Sequence, residues 1–219
     1  PEEKELYDAV TAYLIKKKEE ASETKNIHVS LALTVMQRRL VSSIYAIKNT
    51  LFRRWNALQG IVDEVNKNPN LWSQRHKLEG FDIDDMEDYD ELDDEERDAL
   101  ENILSDPKKF KLFTTATSLQ EIQEEAREVK RLFEMADNLY KKNQEEQKFK
   151  ELKKLLISEN VIEGEKLLIF TEHKDTLFYL EERLSKSGGY KVTTIHGGKT
   201  VDERRQAQWS FATPDTQIL

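Results

Sequence analysis

Apolar residues recur at helical spacing over the first two thirds of the chain. Met36, Leu40, Ile44, Ile47, Leu51, Trp55 and Leu58 step by four, four, three, four, four and three, one stripe over about six turns of a predicted helix. Leu119, Ile122, Ala126, Val129, Phe133, Ala136 and Tyr140 form a second stripe of the same kind. Neither stripe can bury itself, and the simplest cover for each is the other, as an antiparallel, coiled-coil-like pair. Leu6, Val10, Tyr13 and Leu14 predict an earlier helix from about Glu3 to Glu20.

The pattern changes after Gly164. Lys166 to Phe170 is a short, continuous apolar run, as in a strand covered on both faces. Asp175 to Ser187 carries Leu177, Leu180 and Leu184 at helical spacing, and Ser187-Gly188-Gly189 stops it. Tyr190 to Ile195 is rich in β-branched residues, a second strand. Asp202 to Phe211 reads as another helix, and Thr216 to Leu219 as a third strand. Strand, helix, strand, helix, strand with short loops is a parallel α/β unit. Such sheets normally hold roughly five or more strands, so this one reads as truncated. The expected fold class is α plus α/β, a long helical region followed by a three-stranded parallel unit.

Composition sharpens the division. Of seven glycines, five lie at Gly164 or beyond, and neither glycine nor proline occurs between Pro1 and Gly60 or between Pro107 and Gly164. The formal charge of −9 is unevenly spread: residues 79–101 hold fourteen acids and one base, Arg97. Without them 29 acids face 33 bases, a balance of +4. The acidic stretch reads as a solvated linker or insertion, with a nucleic-acid mimic lying on the basic surface as the alternative. The expected division is therefore a helical region over 1–78, the acidic segment over 79–106, a second long helical segment over 107–160, and the α/β unit over 161–219. No apolar run approaches a membrane span, and the first residues carry no signal-peptide pattern. Absence of cysteine excludes a disulfide framework, a thiol nucleophile and a cysteine zinc site. His28, His76, His173 and His196 never fall at helical zinc spacing. A cytoplasmic location is the default expectation.

In open parallel sheets, ligands bind beyond the carboxyl ends of the strands. Thr171-Glu172-His173 and His196-Gly197-Gly198-Lys199 leave that edge, each beside a helix start whose N–H groups favour anions. Gly197-Gly198-Lys199-Thr200 is not a nucleotide loop: the glycine that the phosphate cradle needs five residues earlier is Thr193. Thr200-Val201-Asp202-Glu203 fits a capping box instead, which makes Thr200 a helix cap rather than a magnesium ligand. From Val29 to Val62 there are five bases, Arg38, Arg39, Lys48, Arg53 and Arg54, and no acid. So few bases read as a solvated face, with a one-signed surface for phosphate or an acidic partner as the alternative.

LLIFTEHKDTLFYL, IHGGKTVDERRQAQWSF and DTQIL together resemble the start of the second RecA-like domain of superfamily-two helicases, the stretches called motifs IV and IVa. SLALTVMQRRLVSSIYAIKNTLFRRW is similar to the helix joining the motor lobes of bacterial Swi/Snf-like translocases. The resemblance implies a truncated RecA-like α/β unit and an inter-lobe helical region, from an ATP-driven motor acting on nucleic acid, with double-stranded DNA the expected form. By position, Thr171, Glu172, His173, His196, Gly197, Gly198 and Arg204 would lie near the nucleic-acid backbone. The phosphate loop, the acidic magnesium box and the arginine finger of that family have no counterpart here. The chain is thus expected to bind no cofactor and no metal and to hold no catalytic residue, ATP and magnesium belonging to the intact parent and its first lobe. The competing expectation is a non-enzymatic coiled-coil scaffold with a small α/β appendage.

Overall fold

The computed structural model describes residues 2–68, 100, 113–142, 146–159 and 165–219. The acidic segment expected over 79–106 lies outside these, apart from Leu100. Seven helices are present among the described residues: α1 (Glu2–Glu23), α2 (Ile27–Ser42), α3 (Ile44–Lys67), α4 (Leu119–Lys141), α5 (Gln147–Ser158), α6 (Lys174–Gly188) and α7 (Val201–Ala212). They divide between two compact units, Pro1–Val41 with Ile47–Lys142, and Ser42–Ala46 with Asn143–Leu219.

In the first unit α4 packs against α1. Side chains of α3 also reach α4: Trp55 stacks on Phe133 at 6.0 Å between ring centroids, with Phe52 tilted against the same ring at 5.2 Å. The buried face of α4 is Ile122, Glu125, Ala126, Val129, Leu132, Ala136 and Leu139. It is turned from the expected stripe, because Phe133 and Tyr140 are only half-buried while Glu125, Leu132 and Leu139 face inward. A carboxylate is tolerated there because Arg54 meets it: Nη2 of Arg54 donates to Oε1 of Glu125 at 2.7 Å and Nε donates to the Tyr13 hydroxyl at 2.7 Å. Lys17 lies 3.5 Å from the second carboxylate oxygen, which also accepts from Oγ1 of Thr114 at 2.9 Å.

Two expectations are corrected here. The stripe from Met36 to Leu58 is not one helix but two, interrupted at Ser43. Oγ of Ser43 accepts from the Ala46 N–H at 3.0 Å, capping the first turn of α3 as serine does at helix starts. Both Ser42 and Ser43 also bond Oγ1 of Thr176, at 2.7 and 2.9 Å, and Glu146 accepts the Ile44 N–H at 2.9 Å, so this junction is held within the second unit. Nor are the five bases a single solvated face. Arg39 and Arg54 are 1% and 3% exposed, Arg39 donating to Thr50 and Arg54 serving the Glu125 pair.

The second unit carries extended segments where three strands are expected. Leu167 and Val192 each form a parallel bridge with Ile218, which puts the last segment between the other two. Leu167, Ile169 and Thr193 donate backbone N–H groups to Gln217, Leu219 and Ile218, and Gln217 donates to Lys191. Among the described residues the pairing consists of these isolated bridges, without a continuous strand. The first segment is also not covered on both faces, since Leu168 and Phe170 are exposed, Phe170 at 90%. No described helix is long and apolar enough to cross a membrane.

Candidate functional site

The first loop, Thr171 to His173, leads from the Leu167 segment into α6. Thr171 is half-buried, Glu172 exposed and His173 buried. His173 is the residue ahead of α6, with extended backbone, and its carbonyl accepts from the Leu177 N–H at 3.0 Å. Gly189 ends the helix in the left-handed conformation at φ 69°, which glycine adopts without steric cost.

The second loop leaves the Val192 segment. The Lys199 N–H donates to the His196 carbonyl at 3.0 Å, closing a tight turn, and the Gly198 N–H donates to Nδ1 of His196 at 3.2 Å. A Cβ on Gly198 would lie 3.3 Å from the imidazole, so only glycine lets the ring fold over this backbone freely. The Lys199 ammonium turns inward, donating to the carbonyl and hydroxyl of Thr194 at 2.6 and 3.0 Å. Thr200 and Glu203 form the expected capping box at the start of α7, the Thr200 N–H bonding the carboxylate at 2.8 Å. That N–H, with the Thr200 hydroxyl, holds the Glu203 carboxyl below its ordinary value. Arg204, one turn into α7, reaches back along the loop: Nε donates to the Lys199 carbonyl at 2.9 Å and Nη2 to the Gly197 carbonyl at 3.0 Å.

The first turn of α6 joins the two loops. The Phe178 ring meets the His196 ring edge-on at 5.6 Å, and Nζ of Lys174 comes within 3.8 Å of where a Gly198 Cβ would stand. Thr171, Glu172 and His173 therefore enter one end of α6, beside the turn of His196, Gly197 and Gly198. Arg204 belongs to the same group, with its guanidinium engaged by the turn. Sequence reasoning did not single out Lys174 and Phe178. The available signal was their i, i+4 spacing, which sets both on one face of the helix that follows His173.

An apolar cavity of about 280 Å³ lies alongside, lined by Leu168, Phe170, Leu177, Leu184, Ile195 and Leu219 among others. Thr171, Glu181, Thr193 and Thr194 are the polar residues of its lining. Among the described residues no group of three His, Asp or Glu side chains is placed to hold a metal ion. Nor does the Gly197–Thr200 turn fit a nucleotide phosphate with magnesium, because Thr200 is committed to Glu203 and the Lys199 ammonium to Thr194.

Residues 147–219, from α5 onward, match the helicase conserved C-terminal domain family. A stretch of 91 residues, 42% of the chain, is 31% identical to the Pre-mRNA-splicing ATP-dependent RNA helicase PRP28 of Saccharomyces cerevisiae. It spans 14% of that protein's length. No solved structure matches the chain. Both comparisons point to helicases, the family model over residues 147–219 and the relative by its name. They give no support to the Swi/Snf-like type or to double-stranded DNA, since the relative is by name an RNA helicase.

Proposed function

We propose that the chain supplies nucleic-acid contacts and the beginning of the second, RecA-like motor lobe of an ATP-dependent helicase or translocase, without hydrolysing ATP itself. The observation that carries this reading is the gathering of the Thr171–His173 loop and the His196–Gly198 turn around the first turn of α6, inside the region that matches the helicase domain. The parallel bridges of Leu167 and Val192 with Ile218 support the RecA-like reading, because they order the segments as a parallel sheet would. Exposed backbone and polar side chains at such an edge suit a phosphate backbone, which is recognised by charge and N–H groups rather than by an enclosed pocket. ATP and magnesium would be held by the intact parent's other motor elements.

The test is nucleic-acid-stimulated ATP hydrolysis by the protein of the intact gene. Stimulation that is lost on replacing Thr171 and His196 by alanine supports the reading, and hydrolysis indifferent to nucleic acid overturns it. A finer reading, a Swi/Snf-like translocase on double-stranded DNA, is favoured by the Ser30–Trp55 stretch. It requires stimulation by duplex DNA in preference to RNA. A coiled-coil scaffold would show neither.

A further inference from the structure

We infer that Arg204 is a positioning residue, which orients the 196–200 turn instead of contacting nucleic acid; this rests on the proposed nucleic-acid role of that turn. The peptide joining Gly197 to Gly198 is pinned at both ends, its carbonyl by Nη2 of Arg204 and its N–H by Nδ1 of His196. The peptide joining Lys199 to Thr200 is pinned likewise, its carbonyl by Nε of Arg204 and its N–H by the Glu203 carboxylate. Two alternate peptide planes are thereby fixed by one guanidinium, whose rigid fork directs Nε–H and Nη2–H to separate carbonyls, where an ammonium would have to reach both from a single atom on a flexible stem. Thr194 holds the intervening Lys199 side chain. What the turn presents outward is set by these planes, so Arg204 acts through the backbone of Gly197 and Gly198.

The two roles separate on salt dependence. A residue that neutralises a phosphate contributes about 0.9 to the slope of log affinity against log salt on duplex DNA and about 0.7 on a single strand. A positioning residue changes affinity and leaves the slope alone. The experiment compares the full chain with Arg204→Lys, Arg204→Ala and, as a neighbouring control, Arg205→Ala, on labelled RNA and DNA over a range of salt. Arg205 is exposed and lies 3.8 Å from Asp202, away from the turn carbonyls. Arg204→Lys keeps the charge and loses the fork, and is expected to weaken binding about five- to tenfold, the scale of one net hydrogen bond, with an unchanged slope. Near-wild-type affinity for Arg204→Lys, together with a slope reduced by about 0.7–0.9 in Arg204→Ala, would overturn the inference.

Amide hydrogen exchange at Gly198 and Thr200 supplies the independent reading. Arg204→Lys should speed both severalfold without any nucleic acid present, while Arg205→Ala should leave them unchanged. If the wild-type chain binds no nucleic acid, the proposed function fails, and exchange alone decides whether Arg204 positions the turn. Unaltered exchange in Arg204→Lys refutes that role.

Discussion

Arg54 and Glu125, 71 residues apart, meet as a 2.7 Å ion pair inside the helical unit, with both side chains buried. Buried pairs of this kind return little net stability, yet they are costly to halve, because the remaining charge keeps its desolvation penalty. Arg54→Met is therefore expected to destabilise the unit by about 3–5 kcal/mol. Removing both charges, as Arg54→Met with Glu125→Leu, should recover most of that loss. Urea unfolding followed by circular dichroism, completed as a double-mutant cycle, measures both.

The same cluster sets a pH dependence. Burial alone would raise the Glu125 carboxyl, but the Arg54 and Lys17 charges, with hydrogen bonds from Thr114 and Arg54, outweigh it and hold the group below its ordinary value of 4.5. The unfolded chain then binds the proton more readily than the folded one. Stability from Glu125 is complete above pH 4.5 and is lost as pH falls through the lower folded value. Burial pushes the Tyr13 phenol well above its ordinary value of 10.0, against the Arg54 charge and with that of Glu125. Its contribution is present below pH 10.0 and fades at higher pH, as the unfolded phenol gives up its proton first. Thermal melts across pH should show a plateau between these limits. Glu125→Leu combined with Arg54→Met should remove the acid limb attributable to this carboxylate.

Gly189 offers a cleaner backbone test. Its φ of 69° is left-handed, and no atom lies within 4 Å of where a Cβ would stand. Gly189→Ala should thus cost about 1–2 kcal/mol from backbone strain alone. Gly189→Asn should cost less, since asparagine visits this region more readily. Differential scanning calorimetry of the two variants checks the order.

Thr200 caps α7 through the box with Glu203. Thr200→Ala is expected to cost about 1 kcal/mol, and Thr200→Ser to keep most of the cap. Hydrogen exchange at the Glu203 amide, which donates to Oγ1 of Thr200 at 3.3 Å, reports the loss directly.

Local chemistry was the most legible part of the chain. The stop at Gly189 and the Thr200–Glu203 box follow from residue type and spacing, and both are present as read. Period alone missed the break at Ser43, because Ile44 and Ile47 continue the apolar stripe while the cap and the Thr176 and Glu146 bonds decide the backbone. Charge grouping misread Arg39 and Arg54 for a related reason. A base is solvated by default, and the acid that buries Arg54 lies on another helix, 71 residues away. In the candidate site, loop membership was visible from the strand-edge rule. The inward turn of Lys199 and the backward reach of Arg204 were not, because Arg204 and, in part, Lys199 bond main-chain carbonyls, which leave no mark in the sequence.

The central claim is that the two loops at the start of α6 touch a nucleic-acid backbone. Its most direct test is titration of the chain with labelled RNA and DNA at several salt concentrations, beside a Thr171→Ala, His196→Ala double variant that retains wild-type helicity. The account predicts an affinity that falls linearly in log salt, by about 0.7–0.9 log units per log unit for each phosphate contact, and is weakened about tenfold or more in the double variant. Binding that is absent, indifferent to salt, or identical in the double variant would contradict it.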